Sequence, residues 1–206
     1  MIRAILFDVD GVLLDTLESN TMAYNHDFTR LGGKPITVEE YRKFYHLPAR
    51  DMFKKFFPDK SDEEIEEIII SRTERTSQFF KYARLNPGVL ETLKTLKRDY
   101  TLGVVTSRMN LKILDHFSIR EFFHVIVSLA DVKNHKPHPE PINLALERLK
   151  IRPNEAVYVG DAASDAEASK AAGAKSIIYR NPEAKGDWNI EDFGEIQGIV
   201  ERLNRN

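Results

Sequence analysis

The chain has 206 residues, 30 Lys+Arg against 32 Asp+Glu for a formal charge of −2, 42% hydrophobic residues and no cysteine. That balance describes a soluble globular chain, long enough for one domain or one domain carrying a smaller insertion, with no global field to attract nucleic acid or an anionic membrane. Disulfides, thiolate nucleophiles and cysteine metal sites are excluded, and no apolar stretch reaches membrane-spanning length, so a cytoplasmic location is expected.

Ala4 to Phe7 is a continuously apolar run ending at Asp8-Val9-Asp10-Gly11, the pattern of a strand buried on both faces that emerges at a sheet edge. From about residue 16 to 85 the patterns are helical, with no convincing buried strand. Leu17, Thr21, Tyr24, Phe28 and Leu31 form a stripe that Gly32-Gly33 ends, and the capping boxes Thr37-x-x-Glu40 and Ser61-x-x-Glu64 open later helices. The acidic run Asp62 to Glu67 reads as a solvated helix start, where carboxylates oppose the positive end of the helix dipole.

Pro87 is placed to be the first residue of a helix whose apolar positions are Val89, Leu93 and Leu96. Strand-like runs follow at Thr101 to Thr106, Val125 to Leu129, Ala156 to Val159 and Ser176 to Tyr179. Between them lie a helix carrying Ile142, Ala145, Leu146 and Leu149 and an Ala-rich helix that Ser164-x-x-Glu167 opens and Gly173 closes. This alternation predicts an α/β fold: a doubly wound, Rossmann-like parallel sheet over 1–15 and 86–206, with an α-helical unit inserted at 16–85.

In open parallel sheets ligands bind beyond the carboxyl ends of the strands. The polar residues there are Asp8 and Asp10, Thr106-Ser107, Lys136 in a Pro-rich loop, and Gly160-Asp161 with Asp165. Each set alone has a plain structural reading: an Asp-x-Asp turn, a Thr N-cap, a solvated lysine, a carboxylate in a first helical turn. Together, carboxylates, a hydroxyl and an ammonium at one sheet edge are what phosphoryl transfer to a side chain requires. A hard cation such as Mg²⁺ must relieve the repulsion between carboxylate and phosphate. No Gly-rich Walker loop is present, so Thr106, Lys136 and the backbone N–H groups after Asp8, Gly11 among them, are the candidate phosphate cradle.

Asp8-Val9-Asp10-Gly11-Val12-Leu13, Thr106, Lys136-Pro137 and Gly160-Asp161-x-x-x-Asp165 resemble, in order, the four motifs of the haloacid dehalogenase superfamily, in its helical-cap branch of phosphoglycolate phosphatases and β-phosphoglucomutases. The resemblance implies a Mg²⁺-dependent phosphatase acting on a small phosphorylated metabolite, a phosphomonoester, through an aspartyl phosphate on Asp8. Asp10 is then general acid and base. Asp8, Asp161 and the carbonyl of Asp10 then bind the metal, Asp165 holds a metal-bound water, and Thr106, Ser107, Lys136 and Gly11 hold the phosphoryl group. The segment Leu47-Pro48-Ala49-Arg50-Asp51 resembles the cap's specificity loop, which makes Arg50 a candidate substrate contact. Two positions depart from the pattern: Ala162 stands where a hydroxyl is frequent, and His46 where many relatives have glycine.

A phosphomutase uses the same aspartyl phosphate and is the first alternative. A receiver-like signalling module is more remote, because the acceptor lies on the first strand and a helical insertion follows it. A hydrolytic dehalogenase is disfavoured by Asp10, which that branch lacks. No nucleic-acid or membrane partner is expected, and the chain is expected to be a monomer or homodimer.

Overall fold

In the computed structural model, which describes residues 1–45 and 47–205, the chain enters through β1 (Ala4–Phe7) and β2 (Leu14–Asp15). It then forms α1 (Leu17–Arg30), α2 (Val38–Arg42), α3 (Ala49–Phe56) and α4 (Asp62–Arg75), and returns through β3 (Arg84–Leu85). The second half alternates α5 (Val89–Leu96), β4 (Thr101–Val105), α6 (Lys112–His116), β5 (Val125–Val127), α7 (Glu140–Leu149), β6 (Ala156–Gly160), α8 (Ala163–Ala172) and β7 (Lys175–Tyr179). It ends on β8 (Trp188–Ile190) and α9 (Glu195–Arg205). Two compact units result, Met1–Leu14 with Leu85–Asn206, and Asp15–Arg84. His46 lies outside the described residues.

Among the described residues, the first unit is built on a six-stranded sheet in the order β5-β4-β1-β6-β7-β8, with every neighbouring pair parallel. β1 is central, with Phe7 opposite Val104 on one side and Val159 on the other. All four of its residues are fully buried, which is why it reads as an unbroken apolar run rather than an alternating one. Gly103 is closely packed: a Cβ there would stand 2.6 Å from Val125 Cγ1 and 2.7 Å from Leu6 Cδ2, so a side chain would force those neighbours to shift.

Three local readings are corrected. Helix α5 begins at Val89, after Gly88 in the left-handed region (φ 80°), so Pro87 precedes the helix rather than opening it. Helix α8 begins at Ala163, one residue before the expected cap Ser164. The Asp165 carboxylate accepts the N–H groups of both Asp161 and Ala162 at 3.0 Å and caps the helix from inside its first turn. β8 and α9 escaped the sequence reading: β8 is only three residues long and lies at the sheet edge, and α9 covers the core with Ile196, Ile199 and Val200.

The second unit packs α1 to α4 around Tyr24, Phe28, Tyr41, Phe53 and Ile65. Both expected capping boxes form, Thr37 with Glu40 and Ser61 with Glu64. The deeply buried carboxylate of Asp27, a residue 2% exposed, accepts from Arg72 Nε at 2.8 Å and Arg75 Nη2 at 3.1 Å, while the Arg72 guanidinium lies 4.1 Å above the Tyr24 ring. Removing Asp27 leaves the Arg72 guanidinium, stacked on Tyr24, without its buried carboxylate. Asp27→Ala is expected to destabilise the chain by about 3 kcal/mol, read as a lower urea midpoint by circular dichroism.

Candidate active site

β4, β1 and β6 are adjacent and parallel, so the residues after their last positions share one sheet edge. Asp8 continues the ladder, its N–H donating to the Val159 carbonyl at 2.9 Å, which fixes the backbone before the chain turns away. Its carboxylate is buried, with Oδ1 accepting from the Val9 N–H at 2.7 Å and Oδ2 from Lys136 Nζ at 2.8 Å. Lys136 reaches in from the loop before α7 and is 5% exposed. Its ammonium also meets Asp165 Oδ1 at 2.7 Å and Tyr158 Oη at 2.9 Å.

Carboxylate oxygens of Asp8, Asp161 and Asp165 lie within 4.8 Å of one another. Burial pushes the Asp8 carboxyl up to about 6 from 3.8, against the pull of Lys136, and the negative charges of Asp165 and Asp10 add to the rise. Asp161 is held well above the usual carboxylate range by burial and by Asp165 and Asp8. Burial works against the Lys136 charge, but Asp165 and Asp8 outweigh it and raise the ammonium well above its usual value. Three hard oxygen donors crowded in one buried space fit a divalent cation such as Mg²⁺, which takes carboxylate and water oxygens and cancels their mutual repulsion.

Two glycines permit this crowding. A Cβ on Gly11 would collide with the Asp161 carboxylate, and one on Gly160 would collide with the Asp165 side chain. Two asparagines brace the same loops: Asn86 Nδ2 donates to the carbonyls of Gly11 and Val12 at 3.1 and 2.8 Å, and Asn181 Nδ2 to that of Asp161 at 2.7 Å.

The remaining candidates are spread differently. The Asp10 carboxylate lies outside the trio and accepts both Nε (3.0 Å) and Nη2 (2.8 Å) of Arg108, a guanidinium only 8% exposed. Thr106 is buried at the end of β4, its Oγ1 accepting from the Arg108 N–H at 3.2 Å, and Ser107 is exposed. Gly11, read as a phosphate-binding N–H, instead donates to the Leu14 carbonyl at 2.8 Å, so the turn consumes that donor. Arg50 belongs to the helical unit, at the start of α3, where it pairs with Glu66 at 2.8 Å and Asp62 at 3.5 Å.

Sequence reasoning missed Arg108, Tyr158, Asn86 and Asn181. Arg108 carried a signal, a cation two residues beyond a polar strand end. Tyr158 carried none, since a tyrosine inside an apolar strand reads as a β-former.

The glycine reading has a direct check. Gly11 and Gly32 have similar φ values, 76° and 79°, but only Gly11 has a neighbour where a Cβ would stand. Gly32→Ala is expected to cost only backbone strain, about 1–2 kcal/mol. Gly11→Ala should lose about 1–3 kcal/mol more, from displacing Asp161, when the two variants are compared by thermal melting.

Known proteins place this arrangement. Residues 5–179 match the family model described as haloacid dehalogenase-like hydrolase. Pyrophosphatase PpaX of Bacillus pumilus is 36% identical over 211 residues, covering 97% of this chain and 96% of that protein. Among solved structures, CbbY of Rhodobacter sphaeroides in complex with phosphate is 31% identical with a TM-score of 0.84, over 95% of this chain and 96% of the other. A HAD-superfamily hydrolase, subfamily IA, of Geobacter sulfurreducens is 30% identical with a TM-score of 0.78, over 97% and 96%. The chain is therefore an enzyme and belongs to the haloacid dehalogenase-like hydrolase family.

Proposed function

We propose that the chain is a Mg²⁺-dependent phosphatase that hydrolyses a small phosphorylated metabolite through a phosphoryl group carried on Asp8. The observation that carries this reading is the Asp8 carboxylate itself: at the end of the central strand, held by Lys136, within 4.8 Å of the Asp161 and Asp165 oxygens. Asp8, Asp161 and the Asp10 carbonyl would hold a Mg²⁺ ion, with Asp165 holding a metal-bound water, and the ion would supply the positive charge that lets an anionic carboxylate approach an anionic phosphoryl group.

Asp8 attacks phosphorus, an oxygen–phosphorus bond to its carboxylate forms, and the bond to the leaving group breaks. The departing oxygen takes that electron pair and a proton from Asp10. Water then attacks the same phosphorus and gives its proton to Asp10. The bond to Asp8 breaks, and inorganic phosphate and the free carboxylate are regenerated. Lys136 holds a phosphoryl oxygen throughout, with Thr106 beside it. Arg108 grips both oxygens of Asp10 and orients the carboxylate, and one of these bonds opens when Asp10 carries the proton. Arg50 is proposed to select the leaving group, since its planar fork suits a carboxylate or a second phosphate.

Phosphomonoesters are the proposed substrates. Pyrophosphate is a second reading, favoured by 36% identity to a protein named as a pyrophosphatase along 97% of this chain. A phosphate-release screen with Mg²⁺, with and without EDTA, decides between them. Conversion of one sugar phosphate isomer to another without phosphate release would instead establish a mutase.

Asp8→Asn is expected to abolish turnover while the protein stays folded, and a tenth of normal activity would sink the covalent route. Asp10→Asn should lose about 10²–10⁴-fold and accumulate phosphoprotein when the leaving group is good, as seen by ³²P labelling.

Metal binding should follow pH with a definite sign. Asp8 titrates near 6 in the folded chain against 3.8 ordinarily, so its ionisation costs the metal-free protein stability as pH rises from about 4 to 6. Mg²⁺ binds the ionised form and reverses this cost. The gain in melting temperature on adding Mg²⁺ is expected to be large at pH 7.5 and to shrink below pH 6. A gain independent of pH would remove Asp8 from the ligands.

A further inference from the structure

Tyr158 lies in the middle of β6, opposite Leu6 of β1, and is fully buried with Leu6, Val105, Ile142 and Ala168 around it. Its hydroxyl is the polar group in that apolar cluster, and its position is fixed from two sides. The Val105 carbonyl, at the end of β4, lies 3.0 Å away, and Asp165 Oδ1 lies 3.3 Å away. A hydroxyl has one hydrogen, and the Val105 carbonyl and Asp165 Oδ1 are both acceptors within its reach. The oxygen lone pairs are then left to accept, and Lys136 Nζ donates to them at 2.9 Å.

An ammonium has three donors, and each of those of Lys136 has a partner here: Asp8 at 2.8 Å, Asp165 at 2.7 Å and Tyr158 at 2.9 Å. To hold a phosphoryl oxygen, Lys136 must exchange one of these bonds. Asp8 is the partner whose negative charge is spent when it bonds phosphorus, so that bond is the one to exchange. Asp165 is occupied by the N–H groups of Asp161 and Ala162 and keeps its place. Tyr158 is the neutral partner: it holds the ammonium without adding a negative charge that would repel the phosphoryl group.

Resting on the phosphatase reading, we infer that Tyr158 is a positioning residue for phosphoryl binding, whose hydroxyl, anchored on the Val105 carbonyl, fixes the Lys136 ammonium while its bond to Asp8 is exchanged for one to the phosphoryl group.

The test uses the full chain with saturating Mg²⁺ and inorganic phosphate as the probe, in wild type, Tyr158→Phe, Lys136→Met and the double variant. The phenylalanine ring fills the same space, so only the hydroxyl is lost. Tyr158→Phe is expected to weaken phosphate binding about tenfold in calorimetry, with the Mg²⁺ midpoint unchanged and the melting temperature lowered by a few degrees. In the Lys136→Met background the same substitution should bring no further loss of phosphate affinity, because nothing is left to position. A purely structural tyrosine would lower the melting temperature in both backgrounds and leave phosphate affinity within twofold, and that result overturns the inference. So does an equal loss in both backgrounds. If wild type neither binds phosphate nor releases it from any substrate, the phosphatase reading falls and this inference with it. If wild type does both and Tyr158→Phe matches it, only the positioning role falls. Should the phenylalanine variant not fold, the wild-type ¹⁵N spectrum of lysine ammonium groups decides. A slowly exchanging Lys136 resonance that persists when phosphate is added is expected, and a rapidly exchanging one refutes the fixed geometry.

Discussion

Carboxylates within 4.8 Å of one another in a buried space repel each other, by about 3–4 kcal/mol for each ionised pair at an effective dielectric of about 20. The folded chain tolerates this because Lys136 places one ammonium against two of them, Asp8 and Asp165, and because Asp8 and Asp161 are pushed toward their neutral forms. The same repulsion is what gives the site a use. A space that is unfavourable for three negative charges alone would become favourable with a divalent cation in it, so the repulsion among these carboxylates and their fit to a hard cation have one cause.

Such crowding needs a backbone that does not yield. β1 is hydrogen-bonded on both sides by β4 and β6, and Asp8 extends that ladder by one bond to Val159, so the carboxylate leaves a fixed point rather than a loop tip. Gly11 and Gly160 bring Asp161 and Asp165 close by having no side chain, and Asn86 and Asn181 tie down the carbonyls that the turns leave exposed. The arrangement is preorganised at the level of the backbone: the carboxylates and the ammonium leave fixed points, so what is left to rearrange is the exchange of single hydrogen bonds.

What the sequence made legible and what it hid follow from the range of each interaction. The central strands were readable because burial on both faces leaves an unbroken apolar run, as in Ala4 to Phe7, and the four polar strand ends were readable because parallel topology sends them all to one edge. Helix starts were readable where the cap is a local side chain, as at Thr37 and Ser61, and misread at Ser164, where Asp165 reaches back instead. The grip of Arg108 on Asp10 spans 98 residues of chain and the bond from Lys136 to Tyr158 spans 22, distances over which no pattern of spacing speaks. β8 failed for a different reason, since three residues are too few to show a period.

The helical unit separates fixed charges from exchangeable ones. Asp27 is almost fully buried and Arg72 nearly so, with the guanidinium also stacked on Tyr24, so breaking that set leaves an uncompensated charge inside an aromatic core. These residues hold the unit together and have no freedom to respond to a ligand. Arg50 is in the opposite position. It is 45% exposed and shares half-exposed acidic partners, Asp62 and Glu66, at the start of α4. Ion pairs of that kind contribute little to stability, because water competes for both ends and the side chains lose freedom in pairing. A guanidinium held so loosely can exchange a surface carboxylate for an anionic group on a substrate at small cost. In the carboxylate site of the core unit, by contrast, the Lys136 ammonium and the Arg108 guanidinium are largely buried and paired with carboxylates. Arg50 therefore keeps a freedom to change partners that the buried Asp27 and Arg72 of the same unit lack.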